Sequence, residues 1–208
     1  MDTARQFTSF CELLTRTPTS LQMTPELAGY GEQLVKIGIF SDSHDDIQSL
    51  TAAAQAAVAA GAEALLHCGD VVATVTLARL PEWPVPMHII HGNNTGDIYA
   101  LARIAERSNG RLVYHGMEAA LDLGGRKVFL VHYPRYARAL ATTGDWDVVC
   151  CGHNHKVAVE PVKTVTGGTS LYVNAGTTAG IDAPPTWVLG DLATMTFEIR
   201  RLEPPRLA

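Results

Sequence analysis

Leu34-Val35-Lys36-Ile37-Gly38-Ile39-Phe40, followed at once by Ser41-Asp42-Ser43-His44, sets the architecture of this chain. An almost unbroken apolar run of this length reads as a strand buried on both faces, the habit of parallel sheets covered by helices. The run hands over directly to a carboxylate and an imidazole two residues apart. The same pattern recurs four times. Ala64 to His67 ends in Cys68-Gly69-Asp70, and Met87 to Ile90 ends in His91-Gly92-Asn93-Asn94. Lys127 to Val131 delivers His132, and Asp147 to Cys151 delivers Gly152-His153-Asn154-His155. Loops leaving the same edge of a parallel sheet converge, so ligand-type residues spread from Asp42 to His155 can meet at one point. Two carboxylates, one amide oxygen and four imidazoles suit one or two transition metals, and exceed what one tetrahedral zinc takes.

Between these strands the chain carries helix signals. Asp45 or Asp46 can cap a helix from about Ile47 to Ala60 that stops at Gly61. A second helix from about Thr74 to Leu80 is stopped by Pro81, and Asp97 to Arg107 shows helical spacing through Ile98, Leu101, Ala102 and Ala105. The second half changes character. Glu118 to Leu123 and Lys127 to Val131 flank Gly124-Gly125 as a β-hairpin, and a helix spans Pro134 to Thr142. Ser170 to Val173, Thr186 to Leu189 and Thr194 to Arg201 are further strands. This shift from βα units to antiparallel strands predicts an α/β fold, with two sheets face to face and helices outside. Residues 1–33 read as an N-terminal extension, with a short helix opening at Thr24-Pro25-Glu26, and residues 34–208 as one domain.

Composition narrows the function classes. With 47% hydrophobic and 18% charged residues, the chain reads as an ordinary soluble globule. The net charge of −5 supplies no global basic field for duplex nucleic acid. The longest apolar stretches are too short for a membrane span, and no secretory h-region opens the sequence. Cys11, Cys68, Cys150 and Cys151 form no CxxC pair and no disulfide framework, so a reducing, cytoplasmic setting is expected.

The blocks Asp42-Ser43-His44, Gly69-Asp70, Gly92-Asn93, His132 and Gly152-His153-Asn154-His155, in this order, resemble those of the calcineurin-like metallophosphoesterases, particularly the small bacterial and archaeal phosphodiesterase branch. The likeness runs from about Val35 to Glu203 and includes Asn174-Ala175-Gly176-Thr177. It implies a four-layer α-β-β-α sandwich of two mixed sheets. It also implies two divalent transition metal ions bridged by Asp70, with Asp42, His44 and His155 completing one site and Asn93, His132 and His153 the other. Manganese leads the expected metals, with Fe, Zn, Ni or Co as alternatives. Asp70, Asn93 and His132 would be the catalytic residues, around a metal-bridging hydroxide. Two divalent cations outweigh the two carboxylates and that hydroxide, leaving about one positive charge to attract a phosphate to an otherwise acidic chain. The implied hydrolase acts on a small-molecule phosphodiester, and members of the family are often homo-oligomers. A non-catalytic protein-binding scaffold of the same fold, or a phosphomonoesterase acting on nucleotides or phosphoproteins, are the alternatives.

Asn94 stands where many members carry a histidine that protonates the leaving group, and an amide cannot act as a general acid. This favours diesters or acidic leaving groups. Asn94 and Asp97 are candidate substrate-binding residues, although Asp97 fits a helix cap better. His67, His88 and His115 read as hydrogen-bonded core histidines, with His67 placed to brace the Gly69-Asp70 loop, and His91 adjoins the pocket. Tyr133-Pro134-Arg135-Tyr136 reads foremost as a solvated helix start, with presentation of Arg135 or Tyr136 to substrate as the alternative.

Overall fold

The structure, a computed structural model, describes residues 36–202. The expected extension at 1–33, the start of the first strand at Leu34-Val35, and Cys11 lie outside the described residues.

Strand β1 (Lys36–Phe40) lies at the centre of a six-stranded sheet. Beside it run, in parallel, β2 (Ala64–His67), β3 (Met87–Ile89) and β4 (Leu112–Tyr114). On its other side β10 (Thr186–Asp191) and β11 (Thr196–Arg201) pair antiparallel. Three helices connect the parallel strands: α1 (Ile47–Ala59), α2 (Thr74–Arg79) and α3 (Ile98–Arg107). The second sheet has the order β5-β6-β7-β9-β8, from β5 (Glu118–Leu123), β6 (Arg126–Val131), β7 (Val148–Cys151), β8 (Ala158–Lys163) and β9 (Thr169–Asn174). Its helix is α4 (Pro134–Thr143). Within it β6, β7 and β9 are parallel while β5 and β8 are antiparallel edges, so both sheets are mixed.

Residue alternation along the strands produces the layers. Ile37 and Ile39 of β1 join Val128, Leu130, Val148 and Cys150 of the second sheet in one buried cluster between the sheets. Phe40, Leu65, Met87 and Ile89 face the other way, onto Leu50, Ala53, Ala54 and Ala57 of α1 and Leu101 of α3. Phe129, Val131, Val149 and Cys151 likewise turn outward onto Ala137 and Ala141 of α4. Period-two strands thus serve two interfaces at once. The result is the expected four-layer α-β-β-α sandwich.

Gly38 explains why α1 can lie so close to the sheet: a Cβ there would stand 2.7 Å from the Ala57 Cβ. Asp46 caps α1, accepting from the Ser49 backbone N–H at 2.9 Å, and Asp97 caps α3, accepting from Ala100 N–H at 2.9 Å. The Gly124-Gly125 hairpin holds both glycines at positive φ, as a two-residue turn of the primed type requires.

Two strands had no counterpart in the sequence reading. β8 carries Pro161, which argues against a central strand, and β8 is an edge strand. β4 is also an edge strand, of the first sheet, and is only three residues long and half-buried. Cys68, Cys150 and Cys151 are free and buried, as structural thiols, and burial raises the pKa of each. No helix among the described residues is long and apolar enough to cross a membrane.

Candidate metal centre

The parallel register brings the loops together. Phe40 pairs with His67, and His67 with Ile89, so Asp42, Asp70 and Asn93 leave neighbouring strands at the same edge. In the second sheet Leu130 pairs with Cys150, and His132 and His153 follow within three residues of each. Backbone bonds lace the loops. Asp42 and His44 donate to the Gly69 and Asp70 carbonyls at 3.0 Å each, Gly152 to the His132 carbonyl at 3.1 Å, and Thr178 to the Ser41 carbonyl at 2.8 Å. Asn174 Nδ2 donates to the Gly152 carbonyl at 3.0 Å and to Asn154 Oδ1 at 2.9 Å, which fixes the Gly-His-Asn-His turn.

The turns are tight. Asp42, His44, Asp70, His153 and His155 are five of the ten non-glycine residues at positive φ among the described residues. Each such conformation costs of order 1 kcal/mol, and its concentration here marks strain held for a purpose. Gly152 is dictated by crowding: a Cβ would fall within bonding distance of Ser41 Oγ and against Asp42 Oδ2.

The side chains converge in two groups of ligand atoms, Asp42 with His44 and His155, and Asp42 with Asp70 and His132, the atoms of each lying within 4.8 Å of one another. Asp42 Oδ1 lies 3.4 Å from His155 Nε2 and 3.8 Å from His44 Nε2. Asp70 reaches both groups, its Oδ1 lying 3.4 Å from His132 Nε2 and its Oδ2 3.9 Å from His44 Nε2. His132 Nε2 also lies 3.1 Å from Asn93 Oδ1. His153 belongs to neither group. Its backbone N–H donates to Asp42 Oδ2 at 2.8 Å, and its exposed ring stands edge-on to His132 at 5.1 Å.

The residues fit a bound cation. Asp42 is fully buried, yet its Oδ1 accepts no hydrogen bond; with Ser41 Oγ and Thr178 Oγ1 it is one of three such orphaned atoms among the described residues. His132 Nδ1 lies 2.8 Å from the Cys68 carbonyl and His155 Nδ1 3.0 Å from the Ile181 carbonyl. A carbonyl only accepts, so each Nδ1 carries a hydrogen, which leaves each ring's Nε2 turned inward as the atom available to a cation. His155 Nε2 meets His44 Nε2 at 3.3 Å, a contact that a cation between them would relieve.

Charge follows the same pattern. Burial alone would raise the Asp70 carboxyl, but its bond to His132 and the two from Asn94 lower it to about 2. Burial lowers the His132 imidazole, and the facing Asp70 overcomes this and raises it. Burial, with His132 nearby, holds His67 at about 3; this neutral ring lies 3.0 Å from Ser43 Oγ and accepts from Gly69 N–H, bracing two ligand loops.

Asn94 and Asp97, candidates for substrate contact, both make bonds within the chain. Asn94 donates its backbone N–H to Asp70 Oδ1 at 2.8 Å and its amide to Asp70 Oδ2 at 2.7 Å, while Asp97 caps α3. Thr177, which ends the Asn174-Ala175-Gly176-Thr177 stretch, donates to the Asp42 carbonyl at 3.1 Å. Sequence reasoning missed Tyr114, hydrogen-bonded to His91, because nothing local marks it.

A profile of the calcineurin-like phosphoesterase superfamily domain matches residues 35–195. The chain belongs to that superfamily. It is accordingly a metal-dependent phosphoesterase. Phosphodiesterase MJ0936 of Methanocaldococcus jannaschii is 26% identical over 171 residues, covering 81% of this chain and 98% of that protein. The solved structure of an archaeal phosphodiesterase superposes with a TM-score of 0.72 at 24% identity, over 80% of this chain and 99% of that one. The Escherichia coli phosphoesterase YfcE gives 0.53 at 16% identity, over 81% and 100%.

Proposed function

We propose that the chain is a dinuclear metal-dependent phosphodiesterase acting on small-molecule phosphodiesters. The observation that carries this reading is the orphaned, buried Asp42 Oδ1 among inward-facing imidazole nitrogens, with Asp70 directing one oxygen to each side. The archaeal relative at 26% identity, named a phosphodiesterase, supports the choice of ester.

Asp42, His44 and His155 would hold one divalent cation, Asn93, His132 and His153 the other, with Asp70 between them. Manganese leads, and Fe, Zn, Ni or Co suit the same nitrogen and oxygen donors. Such a pair, when bound, supplies a hydroxide nucleophile at neutral pH and offsets charge on the phosphoryl oxygens. The protein's own part is orientation. The Cys68 and Ile181 carbonyls fix the His132 and His155 tautomers, and Asn94 pins both Asp70 oxygens. No histidine stands at position 94 to protonate a poor leaving group, so diesters with acidic leaving groups suit the site better than monoesters.

The test is hydrolysis of bis-p-nitrophenyl phosphate with added Mn²⁺, Ni²⁺ or Co²⁺. Turnover abolished by chelation and restored by metal is expected. Faster cleavage of p-nitrophenyl phosphate than of the diester would overturn the choice of substrate class.

A further inference from the structure

We propose that Tyr133, Arg135 and Tyr136 form a subsite for a planar π-group carried by the alcohol esterified to the phosphate, an inference that rests on the phosphodiesterase reading and deepens it. Tyr133 follows His132 directly, and Pro134 opens α4 at its first turn, fixing the angle at which the next residues leave. The Tyr133 ring stands edge-on to two rings of the centre, His132 at 5.2 Å and His153 at 4.8 Å. Tyr136 continues outward, 5.7 Å from Tyr133 at an interplanar angle of 87°, and is 53% exposed. A ladder of aromatic rings therefore runs from the candidate ligands to solvent.

The buried face of α4 is served by Ala137 and Ala141, and Tyr136 stands outside it. Arg135 adds a cation, its guanidinium carbon 6.0 Å from the Tyr136 ring centre. Among the described residues no carboxylate lies within ion-pair range of Arg135. Arg138 on the same helix also lies over a tyrosine, Tyr172 at 4.1 Å, but is paired with Glu160 at 2.9 Å. A ring face stacks on any planar π-system, and a guanidinium both stacks and attracts phosphate. Aryl and nucleoside esters share that planar group; alkyl esters lack it.

Equilibrium binding to the Mn²⁺-loaded full chain tests the subsite, with phenyl phosphate, thymidine 5′-phosphate and butyl phosphate as probes. Both aromatic ligands are expected to bind about tenfold more tightly than butyl phosphate, within the range of one stacking contact. Tighter binding of the thymidine ester than of the phenyl ester identifies a nucleoside substituent, and equal binding an aryl one. Tyr136→Ala is expected to bring both aromatic ligands down toward butyl phosphate, and Tyr136→Phe to keep their advantage. Equal affinity for all three ligands in the unmodified protein, or an equal loss for all three in Tyr136→Ala, overturns the subsite. Cleavage of the p-nitrophenyl diesters of thymidine 5′-phosphate and of butyl phosphate, which share a leaving group, is measured beside this. If neither is cleaved the phosphodiesterase reading fails, while the binding comparison still decides the subsite.

Discussion

Asp70 is gripped at both oxygens by one neighbour, and this makes it the most informative residue to alter. Asp70→Asn keeps the shape but removes the anion that faces His132 and His44, so hydrolysis of bis-p-nitrophenyl phosphate is expected to fall at least about 100-fold with the fold intact by circular dichroism. Activity within a few-fold of the unmodified chain would remove Asp70 from the mechanism. Asn94→Ala is a milder perturbation, since the backbone bond to Oδ1 survives and only the amide bond to Oδ2 is lost. Groups that orient a metal ligand typically contribute about 10- to 100-fold in affinity, so roughly tenfold weaker Mn²⁺ binding is expected, read by competition with a chromophoric chelator. Unchanged affinity would leave Asn94 without this role. The ligand-type residues were legible in the sequence because each ends an apolar run. The role of Asn94 was not, because its target is 24 residues away and only the fold brings them together.

At the scale of elements, the contact between α1 and β1 is set by the absence of one atom. Gly38→Ala would drive a methyl group to 2.7 Å from the Ala57 Cβ, between a central strand and an Ala-rich helix face. Overpacking of this kind costs about 1–3 kcal/mol, measurable as a lower urea midpoint. Gly168→Ala, whose Cβ would meet only Thr164 Oγ1 at 3.4 Å, is the control expected to change little. A Gly38→Ala protein as stable as the unmodified chain would mean that the helix moves away at no cost. Buried strands and capped helices were readable because periodicity and capping residues are local signals, as Asp46 and Asp97 illustrate. The edge strand β8 was not, because Pro161 removes a donor only an interior strand would need.

Across the whole molecule, buried neutral histidines set the acid response. Burial, with a neighbouring histidine adding repulsion, holds His67 at about 3 and His88 at about 4, against 6.5 for a free imidazole. Below pH 6.5 the unfolded chain takes up these protons while the folded chain refuses them, so stability is fully present above that pH and falls towards pH 4. Chelator-treated protein is expected to unfold at lower urea concentration at pH 5 than at pH 7.5, and His88→Gln to reduce that difference. An equal midpoint at both values would contradict the assignment. His132 titrates in the opposite sense: Asp70 raises it against the effect of burial, so in the metal-free protein protons compete for its Nε2 from above pH 6.5 downward, and metal affinity should weaken over that range.

The functional reading depends on seven side chains gathering a pair of cations. Anomalous scattering from crystals of the Mn²⁺-loaded protein measures that directly. Two manganese peaks about 3.5–4 Å apart are expected, with Asp70 between them, Asp42, His44 and His155 on one, and Asn93, His132 and His153 on the other. A single peak, or peaks held by other residues, would contradict the account.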